Sequence, residues 1–362
     1  MAGFQRSLRS NRRRLIFSNW KKQLVLGFIF FAYINYTAQG PPDDPFAPLN
    51  RPLVHQSQMN EINHVGKTKI VAFCNYNYRS VALTWYQRMT RLGYTSHVIV
   101  ATDEPMVEFL QQQSSSISMR YEVALRLELP PQRADLKKTK RDTAVLQLLM
   151  AVRWRYLVSQ LEQGIHILLT DVDNIFSRYI DVDATFLEPV NDKHRVDVWH
   201  AYATKFPPSV FASQGFVVCS GMSWWRASPQ ALAFAKIIHG KCGDLCDDQR
   251  VLNQVMSNGQ VLGMNWEITP EVTGSRLSNE TEPVPGFVGL YQAPMFGVSN
   301  VTGHRAGIWS RDFAYRGLVN PMRCPKLNWV SMPILDNPSR SRSWLIKKNS
   351  FDDWDRNCPY RS

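Results

Sequence analysis

The stretch "HILLTDVDNIF", His166–Phe176, sets the reading of the whole chain. An apolar run stops on two aspartates, Asp171 and Asp173, one residue apart. A buried strand that ends this way has two readings. Either a polar turn caps a core strand, or the paired carboxylates hold a hard divalent cation. Mg²⁺ and Mn²⁺ take near-octahedral oxygen ligation and are often held by one or two carboxylates, with phosphate oxygens completing the shell. A metal so held stabilises the charge that builds on a departing diphosphate.

The flanking sequence favours the second reading. "RDTAVLQLLMAVRWRYLVSQLEQG" (141–164) has apolar residues at helical spacing, ends on Gly164 and feeds directly into the strand. Upstream, "KIVAFC" (69–74) reads as a buried strand, "YRSVALTWYQRMTRLG" (78–93) as a helix closed by Gly93, and "SHVIVAT" (96–102) as a second strand stopping at Asp103. Continuous apolar strands alternating with helices predict an α/β fold with a mostly parallel sheet covered on both faces. Ligands of such sheets bind outside the carboxyl ends of the strands, where Asp103, Asp171 and Asp173 all fall. After Asp197 come "GFVVCSGMSWWRAS" (215–228), rich in strand formers, a helical "PQALAFAKIIHG" (229–240), and "CDDQRVLNQVM" (246–256), a helix with Asp247 and Asp248 in its first turn.

Asp-x-Asp alone is a weak signal. With 19 aspartates in 362 residues, about one such triplet arises by chance. The chain has three, and context separates them. Asp171/Asp173 ends a strand that follows an amphipathic helix, whereas Asp181/Asp183 sits in "SRYIDVDATF", read as a surface turn, and Asp353/Asp355 in a polar tail.

The formal net charge of +12 suggests nucleic acid until it is located. Residues 1–22 hold seven basic groups and no acid, so the rest carries 35 basic against 30 acidic residues. With the charge confined to a tail and no aromatic-basic motif in the body, nucleic-acid binding is disfavoured. The apolar segment Leu24–Ala38 follows the basic cluster. Basic residues on one flank keep that flank in the cytoplasm, which makes the segment a signal-anchor of a single-pass type II protein. A signal peptide cut after Gly40 is the rival reading, although Pro41 would then follow the cut. "GPPDDPFAPLNRP" (40–52) reads as a semi-extended stem. The expected organisation is a cytoplasmic tail at 1–22, an anchor at 23–38, a Pro-rich stem at 39–66, a catalytic domain at 67–320 and a C-terminal extension at 321–362.

Two glycosylation sequons agree with a luminal body: "NET" at Asn279 and "NVT" at Asn300. All six cysteines lie beyond the anchor, where disulfides can form. Cys74 and Cys219, inside apolar runs, read as buried thiols. His239, Cys242 and Cys246 resemble a partial zinc box without a fourth ligand, so a disulfide or plain structural role is the better reading.

In order, "KIVAFCNYNYRSVALTWYQRMTRLGYTSHVIVATDEP", "RWRYLVSQLEQGIHILLTDVDNIFSR", "SQGFVVCSGMSWW", "CDDQRVLNQV" and "VSNVTGHRAGIWSRDFAYRGLV" span about residues 67 to 319. Together they resemble the nucleotide-diphospho-sugar transferase family that includes the plant rhamnogalacturonan xylosyltransferases and extensin arabinosyltransferases. The resemblance implies a GT-A type, Rossmann-like sheet flanked by helices, a Golgi membrane location and a hexosyl- or pentosyltransferase that retains anomeric configuration. It implies Mn²⁺ or Mg²⁺ and a UDP-linked sugar donor as cofactor and substrate, with a glycan or glycoprotein acceptor.

Residue by residue, the resemblance implies that Asp173 binds metal directly and that Asp171 reaches the metal or the ribose. Asn75 would contact the nucleoside, and Asp247, Asp248 and Gln249 would face the reacting sugar and the acceptor. Without the resemblance, Asp247 and Asp248 read equally as an acidic cap on a helix. One departure stands out: where the family places a metal-binding histidine in its closing segment, this chain has Ser299, and His304, five residues on, is the candidate substitute. Because Asn300 falls in that segment, the expectation is a glycan at Asn279 and little at Asn300. The alternative to an active enzyme is a catalytically inactive luminal binding or scaffold protein with the same fold.

Overall fold

The computed structural model describes residues 66–115, 117–124, 138–187, 195–203, 206–244, 246–259, 261–267, 294–310, 313–318, 329–334 and 351. The expected tail, anchor and nearly all of the stem lie outside these residues, as do Asn279, Cys324, Cys358 and Asp353/Asp355. Among the described residues no helix is long and apolar enough to cross a membrane.

The chain enters the body through β1 (Thr68–Cys74), buried at every position. One 3-10 turn, Tyr76–Tyr78, leads into α1 (Arg79–Arg91), which packs Val81, Trp85 and Met89 inward. β2 (His97–Ala101) runs parallel to β1, and Asp103 then caps α2 (Glu104–Ser114), its carboxylate accepting from the Met106 N–H at 3.2 Å. After β3 (Tyr121–Val123), the long helix α3 (Lys138–Glu162) crosses back. It delivers β4 (His166–Asp171), parallel to β1 with Phe73 opposite Asp171. A helical crossover of this kind is how parallel strands are joined.

Beyond β4 the direction changes. The short β5 (Ile175–Phe176) and α4 (Val182–Phe186) precede β6 (Val198–Tyr202) and α5 (Pro208–Gln214). β7 (Val218–Trp225) then runs antiparallel between β4 and β6. α6 (Pro229–Cys242) and α7 (Asp248–Ser257) cover one face, and β8 (Met264–Glu267), β9 (Met295–Ser299) and β10 (Arg305–Ile308) complete the sheet.

Among the described residues the main sheet has nine strands in the order β3-β2-β1-β4-β7-β6-β10-β9-β8. Its ladders divide evenly: β3–β2, β2–β1, β1–β4 and β6–β10 are parallel, while β4–β7, β7–β6, β10–β9 and β9–β8 are antiparallel. The expected mostly parallel sheet is therefore a mixed one. A fully buried run such as "VVCSGMSWW" reports burial on both faces and carries no direction, so the sequence leaves the direction of β7 open.

Burial alternates across the pleat. Val71, Phe73, Ile167, Leu169 and Trp225 face the core under α3, α6 and α7, whereas Ile70, Ala72, Leu168 and Trp224 face the core under α1. A second, three-stranded sheet sets β12 (Val330–Ile334) between β11 (Ala314–Leu318) and β5. Trp329 is fully buried there against Phe176 and Trp309, and Phe351 is buried too, so the packed body extends past the boundary expected at 320. Cys242 and Cys246 form a disulfide across the α6–α7 connection, a pairing the sequence left open, while Cys74 and Cys219 are buried free thiols, as read from their apolar runs.

Candidate active site

Asp171 is the last residue of β4 and lies on the same pleat face as Ile167 and Leu169, under α3. Its side chain is about half exposed, at 45%. Asp173 follows in a turn and is buried, at 7%. The turn is fixed by Asn174, whose N–H donates to the Asp171 carbonyl at 3.1 Å. The Asn174 side-chain amide donates to Thr170 Oγ1 at 2.9 Å and to the Gly221 carbonyl at 3.0 Å, tying the turn to β7. Gly221 is required for close approach: a Cβ built there would lie 2.8 Å from the Asp171 Cγ.

Arg153 of α3 reaches the same place. Its Nη1 lies 3.3 Å from Asp171 Oδ1 and 3.5 Å from Asp248 Oδ2, and its Nη2 donates to the Ser220 carbonyl at 3.0 Å. The Arg153 side chain is 4% exposed, and its Nε has no hydrogen-bond partner among the described residues. Asp248 is buried in the first turn of α7 and accepts from Ser220 Oγ at 3.1 Å. Burial pushes the Asp248 carboxyl above the usual carboxylate range, with Arg153 and the Ser220 hydroxyl pulling the other way. Asn253 holds the helix there: its Oδ1 accepts from the Val218 N–H at 2.8 Å and its Nδ2 donates to the Val218 carbonyl at 2.9 Å.

The remaining expected residues fall into distinct places. Asp247 is the N-cap of α7, accepting from the Arg250 N–H at 3.1 Å, which is the bland reading of the acidic pair. Gln249 donates through Nε2 to the Phe206 carbonyl at 2.8 Å. Asn75, directly after β1, has a buried Oδ1 without a partner among the described residues. Beside it the Tyr76 ring is 38% exposed, with the Arg79 guanidinium 4.0 Å from its centroid.

The structure does not bring His304 to the carboxylates. β10 pairs in parallel with β6, Ala306 opposite Val198, and Val198 in turn lies opposite Trp225, which faces Ile167. His304 therefore sits beyond the amino end of β4, about six residues or roughly 20 Å along the strand direction from Asp171, and three strands across. There it is fully buried, stacked on Phe234 at 4.2 Å, with Nδ1 2.6 Å from Thr302 Oγ1. Burial holds its pKa down to about 4. Its role is core packing, and the expected metal set loses it. A histidine within an apolar segment tells of burial, and the reversal of β9 against β10 decides which sheet end it meets.

Ser299 belongs to the same far end. Its hydroxyl donates to the Leu262 carbonyl at 2.7 Å and accepts from the Val301 and Thr302 N–H groups, each at 3.2 Å. It builds a turn. The Asn300 sequon, expected beside the site, shares this turn and stands away from Asp171. Asp181 and Asp183 are both structural: Asp181 caps α4 through the Ala184 N–H at 3.0 Å, and Asp183 accepts from the Thr68 N–H at 2.9 Å.

Among the described residues no group of three or more His, Cys, Asp or Glu side chains is arranged around one point. Two adjacent carboxylates remain, one of them half exposed. That donor set suits a hard cation whose other ligands are phosphate oxygens and water, and it does not suit a closed protein cage.

Sequence reasoning missed Arg153, Ser220 and Gly221. Arg153 did leave a trace. Leu149, Arg153, Leu157 and Leu161 form one i, i+4 row of α3, all buried, and a guanidinium in such a row requires a buried anion. A further cation was also missed: Arg316 of β11 donates through Nη1 to Cys219 Sγ at 2.7 Å, beside the pair. Burial, with Asp171 and Asp248 nearby, pushes the Cys219 thiol up despite Arg316.

Residues 93–272 match the family model described as nucleotide-diphospho-sugar transferase. No curated protein matches the chain. The solved structures to which it is similar include the WbbM bifunctional glycosyltransferase, at 11% identity over 52% of this chain and 37% of that one, TM-score 0.33. Core-mannan synthase A from Aspergillus fumigatus in its Mn/GDP form is 8% identical over 59% of this chain and 78% of that one, TM-score 0.31. The galactosyltransferase LgtC with donor and acceptor sugar analogues is 10% identical over 80% of this chain and 99% of that one, TM-score 0.39.

Proposed function

The chain belongs to the nucleotide-diphospho-sugar transferase family, and we propose from that premise that it is a metal-dependent glycosyltransferase whose donor site lies at the carboxyl end of β4. The observation that carries the proposal is the pairing of Asp171 and Asp248 through the buried Arg153, beside Asp173. Two carboxylates from distant segments converge there on one guanidinium, Asp171 half exposed and Asp248 buried.

Asp171 and Asp173 would hold Mn²⁺ or Mg²⁺, which supplies Lewis-acid stabilisation of the departing nucleoside diphosphate when bound. Arg153 holds Asp171 and Asp248 beside one another and offsets their charge. Asp248, buried in the first turn of α7 and paired with Asp171 through Arg153, is the side chain we assign to the reacting sugar, with Gln249 one residue further on the same helix turn. Asp247 supports it by closing the helix end.

Asn75 supports a UDP-linked donor. Its buried Oδ1 is an acceptor without a partner among the described residues, and an imide N–H of the kind uracil carries would satisfy it. The partly exposed Tyr76 ring offers a flat face for the base. The acceptor as a glycan or glycoprotein, retention of configuration, the GT-A assignment, and a single-pass type II anchor with a luminal Golgi domain complete the proposal. The basic cluster before Leu24 and the two sequons support the topology. The inactive-scaffold alternative rests on the missing metal-binding histidine, since neither Ser299, a turn residue, nor the buried His304 reaches the carboxylates.

Purified full-length chain in detergent, offered a panel of nucleotide sugars, should release nucleoside diphosphate with one donor preferred. Chelation should abolish release, and Mn²⁺ or Mg²⁺ should restore it. Release unaffected by chelation would refute the metal-dependent reading, and no release from any donor would return the inactive scaffold.

A further inference from the structure

We propose that Asn300 carries an N-linked oligosaccharide, standing on the face of the body opposite the donor site. The inference rests on the luminal reading above. Asn300 is exposed on the turn that joins β9 to β10, in the sequon Asn300-Val301-Thr302, and Gly303 completes the turn at φ +68°. Asn265 Nδ2 donates to Asn300 Oδ1 at 2.9 Å, which orients the amide by its oxygen. Val301 is 57% exposed, more than any other large apolar side chain among the described residues, and Val298 nearby is 38% exposed. A glycan on the adjacent asparagine shields these two valines at the end of the sheet, where bare apolar side chains invite association.

The register that removes His304 from the site makes room for the sugar. The turn lies beyond the amino end of β4, so a glycan there meets neither Asp171 nor Asp248. In the transfer, the Asn300 amide nitrogen bonds the anomeric carbon of an oligosaccharide supplied as its polyprenyl diphosphate. The bond from that carbon to the diphosphate oxygen breaks, and the lipid diphosphate leaves with the electron pair. The amide nitrogen loses one proton. The reaction is redox-neutral, and the host's oligosaccharyl-transferring machinery supplies the donor. It acts as the segment enters the lumen, before Thr302 closes onto His304.

The test uses the full chain in a eukaryotic secretory host, with a reference sequon appended after Ser362. Peptide mapping after enzymatic deglycosylation in heavy-oxygen water reads occupancy at Asn300 and at the reference. Asn300 should be occupied in most chains. Asn300→Gln and Thr302→Ser separate the acceptor from the turn: the first should lose one glycan, the second should keep it. Deglycosylating the folded protein should leave turnover of the nucleotide sugar within twofold and increase self-association. An occupied reference with bare Asn300 overturns the proposal and leaves the luminal reading standing. A bare reference overturns both. Occupancy with turnover raised several-fold by deglycosylation overturns the opposite-face placement.

Discussion

Gly221 and Asp171 share a space that only one of them can fill. The Asp171 carboxylate occupies the position a side chain at Gly221 would need, with Cγ 2.8 Å from where a Cβ would stand. Gly221→Ala should therefore displace the carboxylate and leave most of the β4–β7 ladder intact. We expect divalent-dependent turnover to fall at least about tenfold, as happens when a charge-stabilising group loses its geometry, with the melting temperature lowered by only a few degrees. Turnover equal to the parent would show that Asp171 is not needed in this position.

Arg153 neutralises Asp248 in a buried setting, so Arg153→Met should expose a cost that depends on pH. Without the guanidinium, the pKa of the folded Asp248, already raised from 3.8 by burial, rises further. A carboxyl whose folded pKa exceeds its unfolded one stabilises the fold at low pH and ceases to do so as pH rises through the folded value. The variant should match the parent near pH 4 and lose about 3 kcal/mol by neutral pH, the scale of a broken buried pair. Adding Asp248→Asn should recover most of that loss. Urea melts at several pH values decide it, and a pH-independent gap would count against the charge argument.

The Asp-x-Asp triplets offer an internal contrast. Asp173→Asn removes a ligand charge and should reduce turnover by about a hundredfold, a loss of a few kcal/mol in transition-state stabilisation. Asp181→Asn keeps the N-cap of α4, since asparagine caps as well as aspartate, and should change neither activity nor stability. Nucleotide-sugar turnover of the two variants side by side is the measurement. An active Asp173→Asn protein would transfer the assignment elsewhere.

Among the described residues His97, His200 and His304 are buried, and we expect them to make the fold acid-sensitive. Burial lowers His97 and His304 to about 4 and His200 to about 3, with Arg120 adding to the first and His304 to the last. Below the unfolded value of 6.5, the unfolded chain takes up protons that the folded core refuses. Stability is then lost between pH 6.5 and about 4, at up to about 1.4 kcal/mol per pH unit for each histidine. His200 has both ring nitrogens unpartnered among the described residues, set between Trp225 and Phe234. His200→Leu should be nearly neutral at pH 7.5 and should shift the acid-unfolding midpoint downward. An unchanged midpoint would locate the acid sensitivity in the carboxylates.

The elements bounded by periodicity and glycine read well from sequence: β1, α1, β2, α3 and β4 lie within a few residues of their expected spans. Strand direction did not, because the apolar pattern of β7 is the same either way up. The site divides similarly. Asp171, Asp173 and Asp248 announce themselves as carboxylates at element ends. Their partners do not, since Ser220 and Gly221 are ordinary residues whose role exists only once β7 lies beside β4. His304 erred for the same reason: five residues of sequence separate it from Ser299, but a strand pairing decides which end of the sheet both occupy.

The place of β10 has a consequence for how the chain is made. β6 ends at Tyr202, yet the neighbour on its open side, β10, begins at Arg305, about a hundred residues later in synthesis. Arg153 and every carboxylate of the candidate site have left the ribosome by then, and the central sheet still presents an unpaired apolar edge. Such edges recruit other chains. A premature stop before Arg305 would thus spare the catalytic residues and still yield an aggregating product. The segment that contributes nothing to the donor site is the one that closes the edge of β6.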